Sequence, residues 1–294
     1  MSAPTAAGPL ALGPAVMFTP ADRPERFAKA LDRADAVILD LEDAVTPASR
    51  PAARDAVRAA WEGRATGGTD GGPLAADRVV VRVNPAGTPD HAADLAMLAE
   101  TGWRTLMLAK AESAAQVDGL VAALGEDVRV VALCETAAGI LAAPALAAHP
   151  HVGALMWGAE DLVASMGGTS SRTADGAYRP VVRHARATVL LAAAAHGTAA
   201  WDAVFLDLQD HAGLAAEAED AVALGCAATV CLHPAQAPVV REAYAPSEEA
   251  VARARRVLAA AEGAHGAFGL DGTMVDEVVL AQARLTLGRV PAGD

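Results

Sequence analysis

Two apolar runs in the middle of the chain each stop at acid. Residues 128–134 lead into Glu135, and residues 152–157 lead into Gly158-Ala159-Glu160-Asp161. Carboxylates brought together repel one another unless a cation or a proton sits between them, and oxygen-only donors suit a hard ion such as Mg²⁺. Other apolar runs also end in residues able to do chemistry. One closes with Asp40-Leu41-Glu42-Asp43, where alternation puts Asp40 and Glu42 on one side. Three acids in four residues at a buried strand end cannot all be bare anions, so they accept hydrogen bonds or metal-bound water, or form salt bridges to Lys110. Arg82 interrupts a strand otherwise all valine. Burying its guanidinium calls for an anion, either a strand-end acid or a substrate carboxylate. Lys110 follows Leu106-Met107-Leu108-Ala109, and the neighbouring acids keep it charged, a state that orients carboxylates rather than one that forms a Schiff base. His233 ends another run, as a base or as a hydrogen-bonded structural histidine, and no two histidines show the i, i+4 spacing of a metal pair. After the first run, Arg23, Arg26 and Lys29 put up to three cations on a loop and the first helical turns, a phosphate site or a solvated helix face.

These residues need a frame that brings run-ends together. Strand-like runs recur at 15–18, 36–41, 78–84, 104–109, 128–134, 152–157, 201–207 and 227–232, with helical spacing between most of them, for example over 23–33, 49–61, 90–101, 113–124 and 213–224. Eight strands alternating with helices in 294 residues is the arithmetic of an α/β (β/α)₈ TIM barrel, with a doubly wound sheet as the alternative. Crossover helices make the strands parallel, so the acids emerge at one rim, where such folds bind ligands. Residues 1–13 read as a flexible tail, 14–245 as the barrel, and 246–294 as a C-terminal helical extension that packs on a neighbouring subunit or across the mouth. Residues 62–77 are a Gly-rich surface loop, and residues 162–180 lie over the mouth as a lid or as an inert loop.

A formal charge of −13 argues against nucleic acid and membrane surfaces as partners, so an anionic ligand needs a local positive patch. The three cysteines lack metal spacing and read as buried thiols in a reducing cytoplasm. The first 13 residues lack the charge and apolar core of a signal peptide, and no stretch reads as a membrane span, so a soluble protein is expected.

Seven segments together resemble a known family. They are Phe18-Thr19-Pro20-Ala21-Asp22-Arg23-Pro24, Ile38-Leu39-Asp40-Leu41-Glu42-Asp43-Ala44-Val45, Val81-Arg82-Val83-Asn84, Ala109-Lys110-Ala111-Glu112-Ser113, Glu135-Thr136-Ala137-Ala138-Gly139, Gly158-Ala159-Glu160-Asp161-Leu162 and His233-Pro234-Ala235-Gln236. In this order, over residues 14–288, they look like the citrate lyase β-subunit/malyl-CoA lyase group of the HpcH/HpaI aldolase/citrate lyase family. The resemblance implies a barrel assembling as trimers or hexamers, with Mg²⁺ as cofactor and a CoA thioester as substrate. By position, Glu135 and Asp161 become metal ligands, Arg82 meets the acyl or keto-acid oxygens, and Arg26 and Lys29 meet CoA phosphates. Asp276, in Gly272-Thr273-Met274-Val275-Asp276, becomes an acid/base entering a neighbouring subunit's site, and Glu42 joins Arg82 and Asp276 as a catalytic candidate. The implied reaction is reversible Claisen cleavage of a carboxylated 3-hydroxyacyl-CoA (citryl-CoA, malyl-CoA or citramalyl-CoA) to an acyl-CoA and a 2-keto acid. A CoA-independent metal-dependent aldolase, a malyl-CoA thioesterase and a noncatalytic partner subunit are the alternatives. The chain departs from the family pattern at Ala109, where proline is usual, and in the length of the 62–77 loop.

Overall fold

The computed structural model describes residues 8–63, 74–262 and 266–290. The chain forms two compact units, Met1–Val240 and Arg241–Asp294. In the first, β1 (Ala15–Pro20), β2 (Ala36–Asp40), β3 (Val79–Val83), β4 (Thr105–Leu108), β5 (Arg129–Cys134), β6 (Val152–Trp157), β7 (Ala199–Asp202) and β8 (Ala228–Cys231) close into a barrel in sequential order. Every neighbouring pair is parallel, including β8 onto β1, so no strand presents an open edge. The expected (β/α)₈ barrel is therefore what forms. The helices α1 (Phe27–Leu31), α2 (Arg50–Trp61), α3 (Pro89–Ala99), α4 (Ala114–Leu124), α5 (Ala137–Ala147), α6 (Ala159–Ser165), α7 (Pro180–His196) and α8 (His211–Ala223) return the chain between strands, and α9 (Gln236–Tyr244) follows β8. Strands sandwiched between an inner core and outer helices must be apolar on both faces, which explains why they read as unbroken apolar runs.

The period of two along each strand ties the core to the site. Inward-facing Ile38, Val80, Val131, Leu133, Ala154 and Met156 belong to one buried cluster with Val16, Met107, Trp201 and Val230. The next step of two along β2, β3, β5 and β6 arrives at Asp40, Arg82, Glu135 and Gly158. The last layer of the barrel core is thus the floor of a cavity.

The opposite end is plugged by Leu10, which is 2% exposed, donates its N–H to Gly153 O and accepts from Trp201 Nε1 at 3.0 Å. Gly153 leaves the room: a Cβ there would lie 2.7 Å from Leu10 Cγ. Leu10 is thus anchored at this end of the barrel, whereas residues 1–7 of the expected tail lie outside the described residues.

Two sequence expectations shift. The seventh strand is Ala199–Asp202, not 201–207, because its first residues are alanines that read as the end of the preceding helix. Val204-Phe205-Leu206, apolar enough to pass for strand, is loop at the mouth with Phe205 buried. Residues 162–180 begin as α6 and continue into an anchored loop. Arg172 pairs with Glu217 at 2.5 Å and lies 3.9 Å above the Tyr178 ring, and Ser171 is buried. Most of the 62–77 loop, residues 64–73, lies outside the described residues.

The second unit holds α10 (Glu248–Ala261), the antiparallel hairpin β9 (Phe268–Leu270) and β10 (Thr273–Val275), and α11 (Glu277–Gly288). Its small core joins Ala254, Val257, Val275 and Ala283.

Candidate active site

Asp40 and Arg82 are register partners across β2 and β3, and both face inward. Arg82 Nε and Nη2 each lie 2.6 Å from one Asp40 oxygen, while Asp40 also accepts the backbone N–H groups of Glu42 and Ala44 at 2.9 Å. The planar fork and the bidentate carboxylate fix one another. Burial acts to lower the Arg82 pKa, but the Asp40 carboxylate more than offsets this and holds the guanidinium charged. The Phe18 ring lies 4.6 Å from Arg82 Cζ. The anion that Arg82 required is therefore a strand-end acid, and the guanidinium still borders the cavity. Asn84, just beyond, donates to Asp94 through both its N–H and its Nδ2, and Arg54 grips the other Asp94 oxygen at 2.7 Å.

Glu42 is buried between two cations: Oε1 accepts from Lys110 Nζ at 2.5 Å, and Oε2 lies 2.9 Å from Arg82 Nη1 without a well-aligned hydrogen bond. Burial pushes its carboxyl above the usual range against the pull of Arg82. Lys110 adopts φ 50, a backbone region that non-glycine residues enter only when the surroundings impose it. That conformation turns its N–H onto Glu135 Oε1 at 3.1 Å. Its ammonium stands 3.5 Å from Asp161 Oδ1, 3.7 Å from Asp43 Oδ2 and 3.9 Å from Glu135 Oε1. Burial acts to lower the Lys110 pKa, but the hydrogen bond to Glu42 and that carboxylate's charge outweigh it and keep the group protonated.

Glu135 and Asp161 thus both lie within 4 Å of one positive charge, where strand β5 and the first turn of α6 meet. Glu135 is 3% exposed, and burial, then the charge of Asp161, push its carboxyl up to about 8. A buried acid that resists ionisation until a cation arrives fits a metal ligand. The approach of β6 is close: a Cβ on Gly158 would lie 2.9 Å from Glu135 Cβ and 3.1 Å from Oε2. Glu160, beside Asp161, accepts from Ser171 Oγ at 2.5 Å. A cavity of about 340 Å³ opens above these groups, with Phe18, Arg82, Glu135, Asp161 and the apolar Val204, Leu206 and Leu232 in its walls.

Arg26, Lys29 and His233 do not join this cluster. Arg26 and Lys29 lie exposed just after β1, Arg26 4.0 Å from Glu25. His233 is exposed, and its Nδ1 accepts from Ala235 N, a turn-forming role. Asp276 lies in the second unit, where its Oδ1 caps α11 by accepting from Val278 N and Val279 N. The sequence reading passed over Gln236, which is 1% exposed and ties two mouth loops together: Nε2 donates to Phe205 O, and Oε1 accepts from Leu232 N and His233 N. Its only signal was its place in the His233-Pro234-Ala235-Gln236 segment. Among the described residues no three His, Cys, Asp or Glu side chains form a ready metal cage. A two-carboxylate site fits Mg²⁺, which keeps several waters and takes only one or two protein carboxylates.

The chain is 55% identical over 280 residues to a citrate lyase subunit beta-like protein of Mycobacterium tuberculosis, covering 95% of this chain and 96% of that one. It is 32% identical over 285 residues to a (3S)-malyl-CoA thioesterase of Cereibacter sphaeroides, covering 94% of each. A crystal structure of the protein CitE of M. tuberculosis in complex with magnesium, acetoacetate and coenzyme A superposes with a TM-score of 0.86 at 54% identity, covering 96% of this chain and 98% of that one. With residues 15–234 matching the description HpcH/HpaI aldolase/citrate lyase, the chain belongs to that family.

Proposed function

We propose that the protein is a Mg²⁺-dependent CoA ester lyase that reversibly breaks the C2–C3 bond of a carboxylated 3-hydroxyacyl-CoA, giving an acyl-CoA and a 2-keto acid. The observation that carries this reading is the convergence of Glu135 and Asp161 on one cationic position beside a rigid Arg82 at the barrel mouth. The structural likeness to a protein crystallised with magnesium, acetoacetate and coenzyme A supports it.

Glu135 and Asp161 would hold the metal. Bound there, Mg²⁺ supplies charge that acidifies the substrate hydroxyl and favours the carbonyl left by bond cleavage. As the carbonyl forms, the hydroxyl proton leaves to solvent and the electron pair of the broken C2–C3 bond passes to the thioester, whose enolate oxygen needs a fixed positive partner. Arg82, with N–H groups beyond those spent on Asp40, is that partner, and a preorganised cation does not have to reorganise as the charge develops. Glu42 orients Arg82 and Lys110 together. Asp276 of a neighbouring subunit in a trimer or hexamer delivers the proton to the enolate carbon, or removes one from the acyl-CoA in the reverse direction. Arg26 and Lys29, exposed beyond β1, meet the CoA phosphates. Among the described residues no helix is long and apolar enough to cross a membrane, and the three buried thiols suit a reducing cytoplasm.

The thioesterase likeness favours one second reading, hydrolysis of the thioester in the same site. Incubation with Mg²⁺ and citryl-CoA, malyl-CoA or citramalyl-CoA separates the two. The lyase reading predicts equal amounts of acyl-CoA and 2-keto acid, dependent on Mg²⁺. Free CoA with an intact hydroxy acid would establish the thioesterase instead.

A further inference from the structure

Five carboxylates, Asp40, Glu42, Asp43, Glu135 and Asp161, crowd this rim against two cations, Arg82 and Lys110. The two cations are used differently. Arg82 is 7% exposed and spends its fork on Asp40 and one nitrogen on Glu42, so it is fixed. Lys110 has a single tight contact, Nζ to Glu42 at 2.5 Å, and its flexible stem leaves Nζ at looser distances of 3.5 Å from Asp161 and 3.9 Å from Glu135. Its side chain is 30% exposed at the cavity rim. With both acids ionised, an ammonium at these distances screens them from each other, yet is too far from either for a full hydrogen bond.

We infer, building on the metal reading above, that Lys110 is a tethered counter-cation which holds Glu135 and Asp161 together while no divalent ion is bound, and which yields the pair to the ion while staying on Glu42. Glu135 and Asp161 would hold a divalent ion within the field of the Lys110 ammonium. The same positive charge that preorganises the ligands therefore opposes the ion, and Lys110 sets the affinity at a moderate level. Lys110 is a positioning residue in this scheme and carries no step of the reaction. The left-handed backbone at Lys110 belongs to the device, since it turns the residue's own N–H onto Glu135 and so couples lysine and ligand.

The test is titration calorimetry with Mg²⁺ on the full chain, wild type against Lys110→Met and Lys110→Arg, alongside melting of the metal-free proteins. Lys110→Met should bind Mg²⁺ at least about thirtyfold more tightly, the factor Coulomb's law gives for one unit charge about 4 Å from a doubly charged ion even at the dielectric of bulk water. Its metal-free form should melt at a lower temperature, while Lys110→Arg stays near wild type in both. A merely structural lysine would lower stability without tightening the ion. Equal or weaker Mg²⁺ binding in folded Lys110→Met overturns the inference while leaving the metal site intact. If Lys110→Met does not fold, Lys110→Gln is judged by the same ratio. Wild-type protein that binds no Mg²⁺ overturns the metal reading and this inference with it.

Discussion

Asp40 and Arg82 face each other across β2 and β3 as register partners, with both Asp40 oxygens 2.6 Å from Arg82 nitrogens. Asp40 is fully buried, so the pair is an ion pair shielded from water, and removing one member leaves the other uncompensated. Asp40→Asn should cost about 3–5 kcal/mol of stability, read by chemical denaturation, and should also lower kcat by letting Arg82 swing. Unchanged stability would mean that Arg82 finds Glu42 sufficient.

Gly158 tests how closely the metal ligands are packed. An alanine Cβ would press on Glu135 Cβ at 2.9 Å and on Oε2 at 3.1 Å. Gly158→Ala should keep the barrel fold by circular dichroism and weaken Mg²⁺ binding at least about tenfold, because a 1 Å displacement of a ligand is enough to spoil a site. Wild-type affinity would show that the Glu135 side chain has room to move.

The pH dependence follows from Glu135, whose carboxyl is lifted from 4.5 to about 8 by burial and then by Asp161. Between those values the metal-free folded chain holds a proton that the unfolded chain has lost, so its stability falls as pH rises through the window. A metal must displace that proton. Mg²⁺ affinity should therefore climb from pH 6 to pH 8, by as much as about tenfold per unit, with close to one proton released per ion in calorimetry across buffers of different ionisation enthalpy. Affinity that is flat over this range would contradict the assignment.

Asp276 is half-buried at the start of α11 and spends one oxygen on capping that helix. If it serves a neighbouring subunit's site, Asp276→Ala alone and Arg82→Ala alone should each be inactive, while oligomers mixed from the two should regain measurable turnover. Mixed oligomers that stay inactive would confine the chemistry to one chain.

Much of this was legible because the site continues the core. Asp40 is marked by alternation at the end of its strand, Arg82 by interrupting a run of valines, and Glu135 by ending an apolar run. What escaped depended on long-range contact. Leu10 lies in a stretch with no periodicity and meets Trp201 from 191 positions away, so nothing local marks it as the barrel plug. The identity of Arg82's partner depended on the β2 and β3 register, which spacing alone does not set. The seventh strand was misplaced because alanine suits the end of a helix and a buried strand alike, and only closure of the barrel decides between them. Gln236 went unnoticed beside His233 because a buried amide that ties loops together has no sequence pattern.

Glu135 and Asp161 are placed to share one divalent ion. Anomalous diffraction from crystals soaked in Mn²⁺ tests it directly. A single peak is expected within coordination distance, about 2.0–2.3 Å, of an oxygen from each residue, with Lys110 Nζ still on Glu42. A peak bound by only one of the two acids, or lying elsewhere in the barrel, would contradict it.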